Sequence, residues 1–338
     1  MMQDFDFGIT DVRAQRDLHI VTENLSSLHT RMGRMLDCSY IQTQALAELL
    51  ARAYVQDRAK IAAMIEQYLP EAAAMELALP THAEQIALLY RQMSTAEQIY
   101  FFRALLTALV DHSQQHLTDI ATQLLGHTEP IEPTAHGRIV YQHNIYADEA
   151  FLHFSRVLPI AKACYSDSFT GMCEQLASGE CEYCILPLEN TQDGKLVRFY
   201  SLIERYELKI VLQCTVTAAD NRHSTVFGLC RRGSALPALL VRDRNCLFEF
   251  LFWQENEHLS LSGLLHAAEC ASLSLVRVDC LPRSDDEILM GAGYPFDVCF
   301  EVSPAKDASV LGQDLLAFLM YLSIHAPSCL PLGIYQHV

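Results

Sequence analysis

Through the first third of the chain, apolar residues recur at intervals of three and four. Leu46, Leu49, Leu50, Ala53, Ile61, Met64, Ile65 and Tyr68 form one such series, and Ile99, Phe102, Leu105, Leu106, Leu109 and Val110 another. This is the period of an amphipathic helix. Thr81–Glu84 and Ser94–Glu97 both have the form of a capping box, which predicts helices beginning near 82 and 95. Gly126 reads as a helix stop. Residues 1–126 are therefore expected to be an all-helical bundle.

The pattern changes after 127–137, a stretch with Pro130, Pro133 and Gly137 that reads as a linker. Short apolar runs at 138–141, 183–186, 208–212 and 225–229 have the character of buried strands, with helical stretches at about 146–155, 168–178 and 196–206. The alternation predicts a mostly parallel α/β sheet over 138–230. A second linker, 231–245, leads to a last unit at 246–338. There the pattern is strand (246–252), helix (259–272), strand (273–281), strand (294–302), helix (309–325) and strand (330–336). This is the βαββαβ order of a ferredoxin-like unit. The expected fold class is thus multidomain, α plus α/β, in three parts.

Length agrees with that division, since 338 residues exceed one ordinary core. The balance of 41 acidic against 24 basic residues, net −17, argues against nucleic acid and against an anionic membrane surface. No apolar run has bilayer length, and the opening Met1–Asp6 lacks the basic and apolar regions of an export signal, so a cytoplasmic location is expected. The 12 cysteines then read as reduced, mostly buried thiols. Cys181 and Cys184 form a lone CxxC with no second pair at zinc spacing, and His223 has no HxxxH partner, so no metal site is expected.

The stretch 138–230 resembles one lobe of prephenate dehydratase, half of a fold like that of periplasmic binding proteins. The residues that carry the resemblance are Asp167-Ser168-Phe169, Gly179-Glu180, and Ile185-Leu186-Pro187-Leu188-Glu189-Asn190-Thr191-Gln192-Asp193-Gly194. The family's T-R-F strand is matched by Thr225-Val226-Phe227, with valine in place of arginine. The resemblance implies substrate contacts at Glu189, Asn190, Thr191 and Phe227, and a catalytic role for Thr225 in loss of the substrate hydroxyl. A loop entering a helix N-terminus after Asn190 would suit an anionic ligand; a loop merely capped by Asn190 or Thr191 is the structural alternative. The family's first loop is glycine-rich, whereas 141–147 here contains no glycine. The family also inserts a second lobe before the T-R-F strand, where this chain has only a short connection from Val211 to Thr225.

The C-terminal unit resembles the ACT regulatory domain. Leu259-Ser260-Leu261, Asp279-Cys280-Leu281-Pro282 and Leu332-Gly333-Ile334-Tyr335 carry the likeness, which implies a regulatory ligand site at Leu261, Asp279 and Pro282. The order of the three parts is similar to that of the bifunctional P-protein, with an N-terminal chorismate mutase. Arg52, Arg58, Lys60, Arg103 and Gln115 are candidates of the right type for that chemistry, though a solvated helix face is the favoured reading of these charges. The resemblance implies an aromatic small-molecule ligand (a prephenate-like acid or phenylalanine), no cofactor, and a homodimer. Three functions follow as expectations: a degenerate, regulatory binding protein; an active mutase or dehydratase; or an ACT-mediated dimeric interaction protein.

Overall fold

The computed structural model describes residues 90, 93–110, 120–122, 124–125, 128–130, 137–219, 222–236, 246–254, 259–281, 294–302, 312–326 and 329–338. The helical series before residue 90, the helix start near 82, Gly126, and the candidates Arg52, Arg58, Lys60, Gln115 and Pro282 lie outside them.

The elements begin with α1 (Thr95–Val110), β1 (Thr128–Pro130), β2 (Arg138–Tyr141), α2 (Ile145–Ser155), β3 (Lys162–Tyr165) and α3 (Phe169–Ala177). They continue with β4 (Tyr183–Asn190), β5 (Gly194–Lys195), α4 (Val197–Arg205), β6 (Leu208–Thr217), β7 (Ser224–Arg232) and β8 (Ser234–Leu236). The last are β9 (Cys246–Gln254), α5 (Leu261–Cys270), β10 (Ser274–Cys280), β11 (Tyr294–Val302), α6 (Gln313–His325) and β12 (Leu330–His337).

Two compact units result. One holds α1, residues 262–272 and α6; the other holds the strands and helices α2, α3 and α4. The helices of the stretch 246–338 thus fall in the first unit and its strands in the second.

In the first unit, α1 starts where the capping box places it. Glu97 Oε2 accepts from the Ser94 N–H at 2.7 Å and from the Ser94 hydroxyl at 2.8 Å. The stripe Ile99, Phe102, Leu105 and Leu106 is buried, as its spacing predicts. Tyr90 bonds His325 Nε2 at 3.0 Å, and Tyr321 stacks on the same imidazole.

The second unit is built on a ten-stranded sheet in which β10-β11-β9-β12-β6-β7-β4-β2-β3 are neighbours, with β5 paired to β4. The expectation of a mostly parallel sheet is corrected here. Only β3-β2-β4 and the short β12–β6 contact are parallel, and the remaining pairs are antiparallel. The reason is local. Strand β6 turns directly into β7, and so short a connection can join only antiparallel strands. β7 then lies between β4 and β6, which are parallel to each other across it.

The linker reading also differs in part: Thr128–Pro130 pairs with Ser234–Leu236, and β7 extends to Arg232. Strand β3 carries no apolar run and has no counterpart in the sequence pattern.

Among β9–β12 the spatial order is β10-β11-β9-β12, so each βαβ connection skips a strand, the split arrangement. Residues of β9, β12 and the β2–β7 strands share one core, with Leu251, Trp253, Leu332 and Tyr335 packed among Ile185, Tyr200 and Leu212. At Gly333 a side chain is impossible, because a Cβ there would lie 2.1 Å from the Ile210 carbonyl oxygen.

Candidate functional site

The chain leaves β2, makes β3 on one side, and returns over β2 to make β4 on the other. Where the winding direction reverses, the loops at the carboxyl ends of the two parallel strands diverge and leave a crevice. That edge carries Gln142-His143-Asn144 after β2, Ser166-Asp167-Ser168 after β3, and Thr191-Gln192-Asp193 after β4. Asn144 caps α2 by accepting from the Ala147 N–H at 2.9 Å, and Ser168 caps α3 through the Gly171 N–H at 3.0 Å. His143 Nδ1 contacts Asp148 Oδ1 at 3.0 Å, and its ring lies against Tyr165.

The structure brings most of the predicted dehydratase-like residues to this edge. Asn190 and Thr225 are direct cross-strand partners, and Glu189 is opposite Val226. The Thr191 N–H donates to the Ser224 carbonyl at 3.1 Å, and the Thr191 hydroxyl accepts from the Ser224 N–H at 3.3 Å. Phe227 is buried opposite Pro187 and serves the core.

The loop itself is not the entrance to a helix, which corrects the expectation of free N–H groups there. Residues 191–193 form the turn between β4 and β5, with Gly194 at φ +69°, and α4 begins only at Val197. Asn190 Oδ1 accepts from the Gln192 N–H at 2.9 Å and the Asp193 N–H at 2.6 Å, while its amide donates to Asp193 Oδ2 at 2.9 Å. The capping alternative is therefore the one the structure adopts. Asp167 and Asp193 are exposed at the same edge, while Arg222 and His223 lie on the β6–β7 connection.

A second cluster, absent from the sequence reading, begins at Lys195. Its ammonium lies 3.3 Å from Glu189, 3.5 Å from Glu249 and 2.7 Å from Asp297, and donates to the Tyr200 hydroxyl at 3.0 Å. Arg277 Nη2 lies 2.9 Å from Glu249 and 3.5 Å from Asp297, and its Nε lies 3.0 Å from Asp279. Glu249 also accepts from the Tyr335 hydroxyl and from Gln213 Nε2. Period-two alternation explains the convergence: Glu249, Asp297 and Tyr335 are diagonal neighbours on one face of β11-β9-β12.

The two buried carboxyls respond in opposite directions. Burial opposes ionisation of Glu249, but Lys195 and Arg277 outweigh it and hold its pKa below the usual value. Burial and then the Glu249 charge push Asp297 well above the usual carboxylate range. Neither Asp297 oxygen accepts an aligned hydrogen bond. Lys195 and Arg277 both lie within ion-pair distance of the two carboxyls.

The sequence signal for this cluster is a charge flanked by apolar residues: Glu249 among Phe248, Phe250 and Leu251, and Asp297 between Phe296 and Val298.

Of the regulatory candidates, Leu261 opens α5 and its N–H reaches Gln254 Oε1 at 3.4 Å, while Asp279 pairs with Arg277. They are not brought to the carboxyl edge. Arg103 contacts Asp314 at 2.8 Å and donates to Ser272 at 2.9 Å, which commits it within its own unit. The CxxC thiols are buried; Cys181 is pushed up to about 11, by burial first and then by the neighbouring Cys164. Among the described residues no helix is long and apolar enough to cross a membrane.

No known protein family matches the sequence, and no curated protein does. Solved structures show a partial likeness. Prephenate dehydratase from Streptococcus mutans is 18% identical, with a TM-score of 0.41 over 60% of this chain and 98% of that one. GqqA, described as a novel type of quorum-quenching acylase, is 19% identical, with a TM-score of 0.43 over 59% of this chain and 94% of that one. Prephenate dehydratase from Arthrobacter aurescens, solved in complex with L-Phe, is 14% identical, with a TM-score of 0.43 over 59% of this chain and 89% of that one.

Proposed function

We propose that this chain is a prephenate-dehydratase-like protein that binds an aromatic small molecule, a prephenate-like acid or phenylalanine, and does not turn it over. The observation that carries the reading is the β6–β7 hairpin. β6 and β7 pair directly from Leu208–Arg232 to Thr217–Ser224, so no second lobe stands between them to close a water-excluding cleft over Asn190 and Thr225.

The chemistry of the edge agrees. Loss of water and carbon dioxide from a dicarboxylate calls for cations beside the leaving groups. Val226 offers none, Lys195 is held by three carboxylates, and Asp167 and Asp193 add negative charge. The split βαββαβ order of the C-terminal strands supports an ACT-like regulatory unit, and with it a role beside phenylalanine biosynthesis rather than in its chemistry.

Thermal unfolding of the full chain with prephenate, phenylpyruvate and L-phenylalanine tests the binding half. A ligand selective for the native state raises Tm in a saturable way. The expected result is such a rise with at least one of the three. If none moves Tm, the binding assignment fails.

A further inference from the structure

Five of the large apolar side chains most exposed to solvent lie between residues 145 and 165: Ile145, Tyr146, Leu152, Ile160 and Tyr165. Ile145 is 80% exposed and Leu152 61% exposed, which is unusual for a helix whose other face is fully engaged through Ala147, Ala150 and Phe154. The exposed positions of α2 and the turn after it have an ordered pattern. Ile145, Glu149, Leu152 and Arg156 follow at i, i+4, i+7 and i+11, one helical stripe that ends at the C-cap Arg156, with exposed Ile160 in the turn beyond it. Apolar and charged residues alternate along it, acidic toward the start and basic toward the end.

We propose that this stripe is an interface for a second copy of the same chain, with two α2 helices antiparallel about a two-fold axis at Leu152. The stripe is self-complementary in that arrangement. An axis between residues 152 and 153 places Glu149 opposite Arg156 of the other copy and Ile145 toward the turn that carries its Ile160, and each contact occurs twice, as a closed isologous interface requires. A parallel arrangement would set Glu149 against Glu149 and Arg156 against Arg156, which like-charge repulsion disfavours. The two ion pairs set orientation, while Ile145, Leu152 and Ile160 supply the apolar area. The resemblance places copy pairing on the C-terminal strands; the charge pattern on α2 gives a separate surface that does not depend on the ligand assignment.

Light scattering after size exclusion, over a range of concentrations, reads the assembly of the full chain. The native protein is expected to form a concentration-dependent dimer. Leu152→Glu, Glu149→Arg and Arg156→Glu should each weaken it at least tenfold. The double exchange Glu149→Arg with Arg156→Glu should restore it, because the pair is reversed and not removed. All three positions are exposed, so circular dichroism should show unchanged folding, and Leu152→Cys should join two chains through a disulfide under mild oxidation. A native protein that is monomeric at every concentration overturns the proposal. So does a dimer that Leu152→Glu leaves intact, or one that the double exchange fails to restore.

Discussion

At the β4–β5 turn, Asn190 takes the N–H groups of residues two and three positions further on, and its side-chain bonds span only a few residues of chain. In the Lys195 cluster the partners come from β4, β9, β10, β11, β12 and α4, up to 140 residues apart between Lys195 and Tyr335. The turn is open to water and tolerates charge at low cost. At the centre of the cluster Glu249 and Asp297 are fully buried, and there each charge requires its partner. Lys195 follows the turn by two residues and belongs to the cluster, so a single short hairpin ties the candidate ligand edge to the buried charges of β9 and β11.

This difference predicts an order of sensitivity. Glu249→Gln should do most damage, since it removes the fully buried carboxylate that Lys195 and Arg277 share; a loss of about 3–5 kcal/mol is expected in urea unfolding. Lys195→Met should follow at roughly 3 kcal/mol, because Glu249 keeps Arg277 but loses one cation. If either substitution proves neutral, the cluster is wetter than its burial implies.

Asp297→Asn should act in the opposite sense. The folded pKa of Asp297 is raised, so its contribution is fully present below the ordinary carboxylate value and is lost as pH rises through the folded value. The asparagine variant lacks that loss, and its stability relative to the native chain should grow with pH. Paired unfolding curves from acid to neutral pH check this; a constant difference would mean that Asp297 ionises normally. Asn190→Ala should have the smallest effect, about 1 kcal/mol, from two turn N–H groups returned to water.

The same contrast explains what the sequence could show. Hydrophobic patterning placed α2, α3, α4, β9, β10, β11 and β12 within a few residues of their observed limits. Strand β3 escaped because Lys162 and Tyr165 at its ends are exposed and its apolar content is slight. The insertion of β7 between β4 and β6 escaped because strand alternation reports crossovers and carries no information about a returning hairpin. The Asn190 turn was legible as a contiguous motif. Glu249, Arg277 and Asp297 were not, because a charge in a strand acquires this meaning only when the register sets it beside charges of other strands.

Binding without turnover is the property proposed for the dehydratase-like edge. Its most direct test is proton NMR of prephenate with the full chain at mildly alkaline pH, where saturation transfer and product formation appear in one spectrum. The account predicts transfer to the prephenate ring protons with no phenylpyruvate signal above the uncatalysed rate. Phenylpyruvate formation that Thr225→Val abolishes would contradict it.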